Sequence, residues 1–249
     1  MRNANQITVS NLLTHTSGID IPNTEQPRNK SYSEAAAINW IVKHVTKNTE
    51  KKVGKWNYNN ANFVLLAGII RKTTGSSYSA NVESRIARPL NLSHTFTSNN
   101  FSRNRQTAIS YTLLWNRFNY FNAQGASRNQ LSQVPGAGNL YSTPSDFYKI
   151  LAGMNDGQIL TAKQFYALTH LPEKDSTYSG GMYIKNGGQL KLTYGNVHNT
   201  YFGNWVQLTS DNQNGIVMFL NQTKDGTSRN KAIGYRILKH IKSGTFLSK

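Results

Sequence analysis

The chain has 249 residues, no cysteine, and 28 Lys+Arg against 11 Asp+Glu, for a net charge of +17. Without cysteine there can be no disulfide, thiolate metal site or cysteine nucleophile. The hydrophobic content of 37% is enough at this length for a substantial core. The six histidines (His15, His44, His94, His170, His198 and His240) lack the close helical spacing of a metal site, so neither a metal nor a cofactor is expected. The longest apolar run, Phe63 to Ile70, is far short of the ~20 residues of a membrane span. Met1 to Gln6 are polar and read as neither a signal peptide nor a lipid anchor. So basic a chain favours polyanionic partners, such as wall polymers or anionic headgroups. The basic residues are nevertheless dispersed. Their densest stretch, Lys47 to Lys55, holds four, and no nucleic-acid recognition motif accompanies it, so specific nucleic-acid binding is not expected.

In chain order, Thr8 to Leu13 reads as a short helix entering a polar turn at Thr14 to Gly18, followed by a Pro/Asn-rich loop from Ile21 to Lys30. Ser33 suits the cap of a helix that keeps Ile38, Ile41, Val42 and Val45 on one side. After the basic loop comes Trp56-Asn-Tyr-Asn-Asn60. An apolar helix then runs from Phe63 to Thr74 and stops at Gly75. Tyr78 to Ala87 is a further helix, ending before Pro89. Ser98 to Val134 has no clean period and reads as loops, with one strand near Ala108 to Leu114. Thr143, Pro144 and Asp146 open another helix as cap, first-turn proline and first-turn anion. Thr161 starts one more.

From Ser179 the period changes to two. Strands are expected at Gly181 to Ile184, Gln189 to Tyr194, Asn204 to Thr209 and Ile216 to Asn221, with turns at Asn186-Gly-Gly and Asp211-Asn-Gln-Asn-Gly. A final helix, Arg229 to Lys242, is expected to pack through Ile233, Ile237 and Ile241, with Leu238 on the same side. Helices, then an antiparallel meander, then a covering helix make an α+β plan. It is read as one domain over 1–249, with a mostly helical part (7–178) and a sheet part (179–249).

Four segments, in order, resemble the serine β-lactamase and penicillin-binding family, in its class C β-lactamase, DD-peptidase and esterase branch. They are Ile7-Thr-Val-Ser-Asn-Leu-Leu-Thr-His-Thr-Ser-Gly-Ile19; Tyr58-Asn59-Asn60 with the helix after it; Arg88-Pro-Leu-Asn-Leu92 with Gly138-Asn-Leu-Tyr-Ser-Thr-Pro-Ser-Asp146; and the terminal meander plus helix. The resemblance implies a β-lactamase/transpeptidase-like fold and serine acyl transfer on a cell-wall D-Ala peptide, a β-lactam or a small ester. It also implies a place in the cell envelope or outside the cell. Carried over, Tyr58 would be the proton-shuttling phenol, and Asn60 would hydrogen-bond the substrate amide. The family's strand motif falls at Thr193-Tyr194-Gly195 in one register and at His198-Asn199-Thr200 in another. The chain's one Ser-x-x-Lys is Ser228-Arg-Asn-Lys231, out of family order, and Ser228 reads better as a helix cap. The nucleophile helix and the N-terminal strands are thus expected to be missing. Their absence would leave the sheet edge next to the terminal strand exposed, and these 249 residues inactive. The alternative is a non-catalytic envelope protein that binds anionic wall polymers.

Read without the resemblance, Tyr58 is a core aromatic, Asn60 a helix N-cap, and His15 a structural residue. Trp56, Trp115 and Trp205 read as packing residues. Tyr111, Tyr120 and Phe121 fall where the family shapes its cleft. With the resemblance, Tyr58 and Asn60 should face Thr193 to Gly195 across one cleft.

Overall fold

The computed structural model describes residues 4–21, 30–45, 52–102, 105–113, 120–171, 177–185, 188, 190–197, 200–223 and 226–243. After a single 3-10 turn, Ala4–Gln6, helix α1 (Val9–Leu13) is closed by a reciprocal cap between Thr8 and Asn11. Helix α2 (Glu34–Val45) begins where Ser33 Oγ accepts the Ala36 N–H at 3.2 Å. Helix α3 (Ala61–Thr74) ends on Gly75, whose φ of 67° is left-handed. Leu12, Ile19, Ile21, Ile38, Ile41, Val45, Ala61 and Val64 form the buried core among these three helices. Glu34 adds a polar pin. It is buried, takes Arg71 at 3.2 Å, and caps helix α4 (Tyr78–Val82) by accepting the Tyr78 and Ser79 N–H groups at 2.5 and 3.1 Å. Burial, with Glu34 beside it, pushes the Tyr78 phenol up to about 12.

The helix expected over Tyr78 to Ala87 is two pieces. After α4 the backbone widens into a π-turn over Glu83–Ala87, where the Arg88 N–H bonds Glu83 O. Two small pairings interrupt the irregular middle. β1 (Phe96–Thr97) pairs with β4 (Leu140–Tyr141), and β2 (Ser110–Leu113) pairs with β3 (Tyr120–Gln124). Only β2 was visible in the sequence. The short helix α5 (Arg128–Leu131), capped by Ser127, was also missed, because four residues carry no period to detect. Trp115 and the side chains of Tyr120 and Phe121 lie outside the described residues.

Helix α6 (Pro144–Gly153) starts as expected: Thr143 caps it at the Asp146 N–H. Buried Asp146 takes the His94 N–H and the Thr95 hydroxyl at 2.8 and 3.0 Å. Helix α7 (Ala162–Thr169) is closed by a Thr161–Gln164 capping box. The C-terminal part is one antiparallel sheet in simple meander order: β5 (Tyr178–Ser179), β6 (Met182–Lys185), β7 (Leu190–Asn196), β8 (Gly203–Thr209) and β9 (Gly215–Leu220). β5 was not anticipated. β9 is the last strand of the sheet among the described residues.

Alternation decides the two faces of this sheet. Met182, Val206 and Leu208 bury against Leu151, Phe147 and Phe165 of α6 and α7. On that same face lies Lys191, 2% exposed, its ammonium bonded to Asn155 at 3.2 Å and to Asn212, and standing over the Phe165 ring. Burial, against the opposing pull of Asp211, lowers its pKa to about 8.

The other face is covered by α8 (Gly226–Ser243). The helix starts before the expected Arg229, so Ser228 is an exposed helical residue and not its cap. Ile233 points outward at 42% exposure, which corrects its expected packing role, and the Ile241 side chain lies outside the described residues. The contact is built instead on Gly234. A β-carbon there would sit 2.5 Å from Trp205 Cδ1, so only hydrogen lets the helix approach the buried indole.

Two outcomes follow. Gly234→Val should destabilise the chain by about 1–3 kcal/mol, read by urea unfolding, because Trp205 has no room to retreat. Lys191 titrates near 8 in the fold against 10.5 in its absence. The unfolded chain therefore binds the extra proton between those values, and stability rises with pH across that window. Lys191→Met should remove this dependence and be no less stable than the parent at pH 7.

Candidate functional site

The segment Leu12-Leu-Thr-His-Thr-Ser-Gly18 is polar but deeply buried: Thr14, His15, Thr16 and Ser17 are each at most 2% exposed. Burial on that scale demands partners, and the chain finds them in the stretch around Tyr58. Thr16 O accepts the Gly54 N–H, and His15 O the Asn57 N–H, both at 2.7 Å. The Asn57 amide donates to Ile19 O at 2.9 Å. Ser17 Oγ donates to Asn62 Oδ1 at 2.6 Å, which leaves the Asn62 NH2 to reach His15 Nδ1 at 2.9 Å. The Asn59 N–H also points at that nitrogen, at 3.3 Å.

Two donors at Nδ1 assign the His15 proton to Nε2. His15 holds a left-handed backbone, φ 57°, at the end of α1. Its ring is enclosed by Tyr58, Tyr178 and Phe63, with centroids at 4.3, 4.7 and 5.2 Å. Nε2 has no hydrogen-bond partner among the described residues. Desolvation by burial is the main cause that lowers the His15 pKa to about 4, against a smaller opposing effect of the Asn59 backbone. The imidazole is a neutral wedge under Tyr58, which agrees with the structural reading of this histidine.

Tyr58 lies on that wedge and remains half exposed. Its ring meets Tyr178 of β5 edge-on at 6.2 Å. Tyr178 continues to Tyr183 at 4.8 Å, and Tyr183 stacks parallel on Tyr194 at 5.2 Å. The Tyr194 hydroxyl donates to that of Tyr183 at 3.2 Å. Burial raises the Tyr58, Tyr178 and Tyr183 phenols, and their neighbouring phenols raise them further, Tyr194 acting on all three. All are neutral at ordinary pH.

The sequence-derived residues therefore separate. Tyr58 and Tyr194 belong to one phenol cluster at the β5 edge of the sheet. Asn60 precedes α3 but makes no capping hydrogen bond with its side chain; Asn59 Oδ1 takes the Ala61 N–H instead. Its amide is thus not spent on the helix, although the links from this segment to the sheet run through Tyr58. Thr193 and Gly195 alternate with Tyr194 and occupy the opposite face of β7. Thr193 Oγ1 is buried without a partner among the described residues, and Gly195 borders open space. His198 lies outside the described residues. Ser228 is exposed, and Lys231 lies over the Tyr235 ring on α8, so the Ser-x-x-Lys match belongs to the covering helix. Sequence reasoning missed Tyr178 and Tyr183. Their only signal was the aromatic content of Tyr178 to Tyr183, which reads equally well as strand core. Among the described residues no group of three or more His, Asp or Glu could hold a metal.

The His15 shift has a measurable sign. The unfolded imidazole takes up its proton around pH 6.5, and the native one only near 4. Stability is therefore complete above about pH 6.5 and should fall by about 3 kcal/mol as pH drops to 4. His15→Gln should flatten that part of the profile, as read by urea unfolding at pH 7 and pH 4.5.

The family model described as Beta-lactamase matches residues 2–240. Teichoic acid D-alanine hydrolase of Staphylococcus aureus is 28% identical over 244 residues, covering 95% of this chain and 56% of that protein. The putative penicillin-binding protein PbpX of Bacillus subtilis (strain 168) is 27% identical over 191 residues, 74% of this chain and 44% of that protein. The chain thus spans about half the length of the curated relatives it matches. Among solved structures, D-amino acid amidase from Ochrobactrum anthropi SV3 superposes with a TM-score of 0.78 at 22% identity, covering 98% of this chain and 74% of that one. FmtA from Staphylococcus aureus gives 0.70 at 24%, covering 93% and 62%. These likenesses share the α+β architecture described above, and with a family match over almost its whole length the chain belongs to the β-lactamase family.

Proposed function

We propose that residues 1–249 work as one unit, carrying the tyrosine half of a serine acyl-transfer site that acts on D-alanyl esters or D-amino acid amides in the cell envelope. The observation that carries this reading is the half-exposed Tyr58, wedged by neutral His15 and facing the β5–β7 phenols. A phenol held this way can pass a proton between a nucleophile and a leaving group. The Asn60 amide, which makes no capping hydrogen bond to α3, is available to a substrate carbonyl or amide. A teichoic acid D-alanine hydrolase among the similar proteins supports a D-alanyl or similar acyl group. A β-lactam or a cell-wall D-Ala peptide presents the same kind of carbonyl. No cofactor is needed for this chemistry.

Acyl transfer also requires a serine with its base. The only Ser-x-x-Lys in these 249 residues sits on α8. The 249 residues alone are therefore expected to form no denaturation-stable adduct with a fluorescent penicillin. When the Ser-x-x-Lys helix of a family member is supplied ahead of them, labelling and release of D-alanine from D-alanylated teichoic acid should appear. Tyr58→Phe should then reduce both by about 10²-fold or more. A stable adduct on Ser228 of the chain alone would overturn the assignment.

The +17 charge favours a second reading, a non-catalytic binder of anionic wall polymer. It calls for salt-sensitive binding to teichoic acid with no D-alanine release under any of these conditions.

A further inference from the structure

We propose that the open face of Tyr58 together with the hydroxyls of Tyr183 and Tyr194 forms a subsite for a substrate ammonium, the free α-amino group of a D-alanyl ester or D-amino acid amide. This rests on the hydrolase reading above and names the feature by which that site would choose its acyl group.

D-Alanyl esters and D-amino acid amides differ from simple esters and N-acylated peptides in one respect: beside the scissile carbonyl they carry a cation. A protein of +17 net charge repels that cation at long range, so a local device must hold it. Tyrosines supply one in two ways. Their ring faces attract an ammonium, and their neutral phenol oxygens accept its N–H donors.

Both are present here. The Tyr194 and Tyr183 oxygens lie 3.2 Å apart. Tyr178 joins them edge-on through Tyr183 at 4.8 Å, and Tyr58 closes the cluster against Tyr178 at 6.2 Å. Tyr58 is 50% and Tyr194 37% exposed, so the cluster is open to a ligand. The Tyr183 ring already accepts one ammonium, that of Lys185, at 5.5 Å from its centroid. Burial raises the Tyr58, Tyr178 and Tyr183 phenols, so their oxygens stay neutral and keep their lone pairs for N–H donors.

The test is a binding titration of the 249-residue chain at pH 6 by ligand-observed NMR. It compares D-alaninamide with D-lactamide, a near-isostere in which a neutral hydroxyl replaces the ammonium. D-Alaninamide should bind about tenfold more tightly. The double variant Tyr183→Leu/Tyr194→Leu should abolish that preference. Tyr183→Phe/Tyr194→Phe, which keeps the rings and removes the oxygens, should retain part of it. Equal affinity for the two ligands, no binding of either, or a preference that survives the leucine pair overturns the subsite. Should the leucine pair fail to fold, the isostere comparison and the phenylalanine pair still decide. Ammonia release from D-alaninamide, followed with the Ser-x-x-Lys helix supplied, reads the hydrolase proposal separately. Preference without release keeps the subsite and counts against the hydrolase. Release without preference does the reverse.

Discussion

The arrangement of this molecule around Tyr58 depends on how a buried histidine is satisfied. His15 is enclosed, and its ring must remain neutral there because water is excluded. Asn62 can donate to it only because Ser17 fixes the direction of the Asn62 amide, and the backbone of Asn59 adds a second donor. Those contacts span the 44 to 47 residues between the two segments. They join the end of α1 to the start of α3 and leave the intervening Tyr58 one place to rest: on the imidazole. Removing any one of them would strand a buried polar group, so the segment is held as a unit.

A second constraint is alternation along β7. Period two sends Lys191, Thr193 and Gly195 to the face that meets α6 and α7. It sends Leu190, Leu192 and Tyr194 to the face that meets α8. A continuous aromatic ladder follows on the second face. Tyr194 stacks on Trp205 at 5.4 Å, and Trp205 meets Tyr235 of α8 at 5.9 Å. The phenol cluster beside Tyr58 is thus the open end of a ladder whose other end is clamped by the terminal helix. Its rings are positioned by sheet geometry, which holds them more firmly than a loop would.

Charge and chemistry divide their roles. The net +17 acts at long range and suits polyanionic surroundings such as a wall polymer. The described ionisable groups that are buried serve the fold instead: Glu34 caps α4, Asp146 holds the residues before β1, and Lys191 ties the β8–β9 turn to the end of α6. Around Tyr58 phenols and amides work through hydrogen bonds and ring faces, with the Lys185 ammonium over the Tyr183 ring.

The sequence by itself determined the α+β order, most helices, the four main strands and the family. These rest on local signals: caps at Ser33, Thr143 and Thr161, the stop at Gly75, period two after Ser179, and two short motifs in the right order. Tyr58 and Asn60 could be put forward from the sequence because a motif needs only neighbours in the chain. Tertiary structure alone decided the rest. It split the Tyr78 to Ala87 helix with a π-turn, turned Ile233 outward and put Gly234 against Trp205. It also separated Tyr194 from Thr193 and Gly195, and brought Tyr178 and Tyr183 to Tyr58. Apart from the π-turn, each of those outcomes is set by contact between segments far apart in sequence. No periodicity within one segment encodes which distant ring will lie against it.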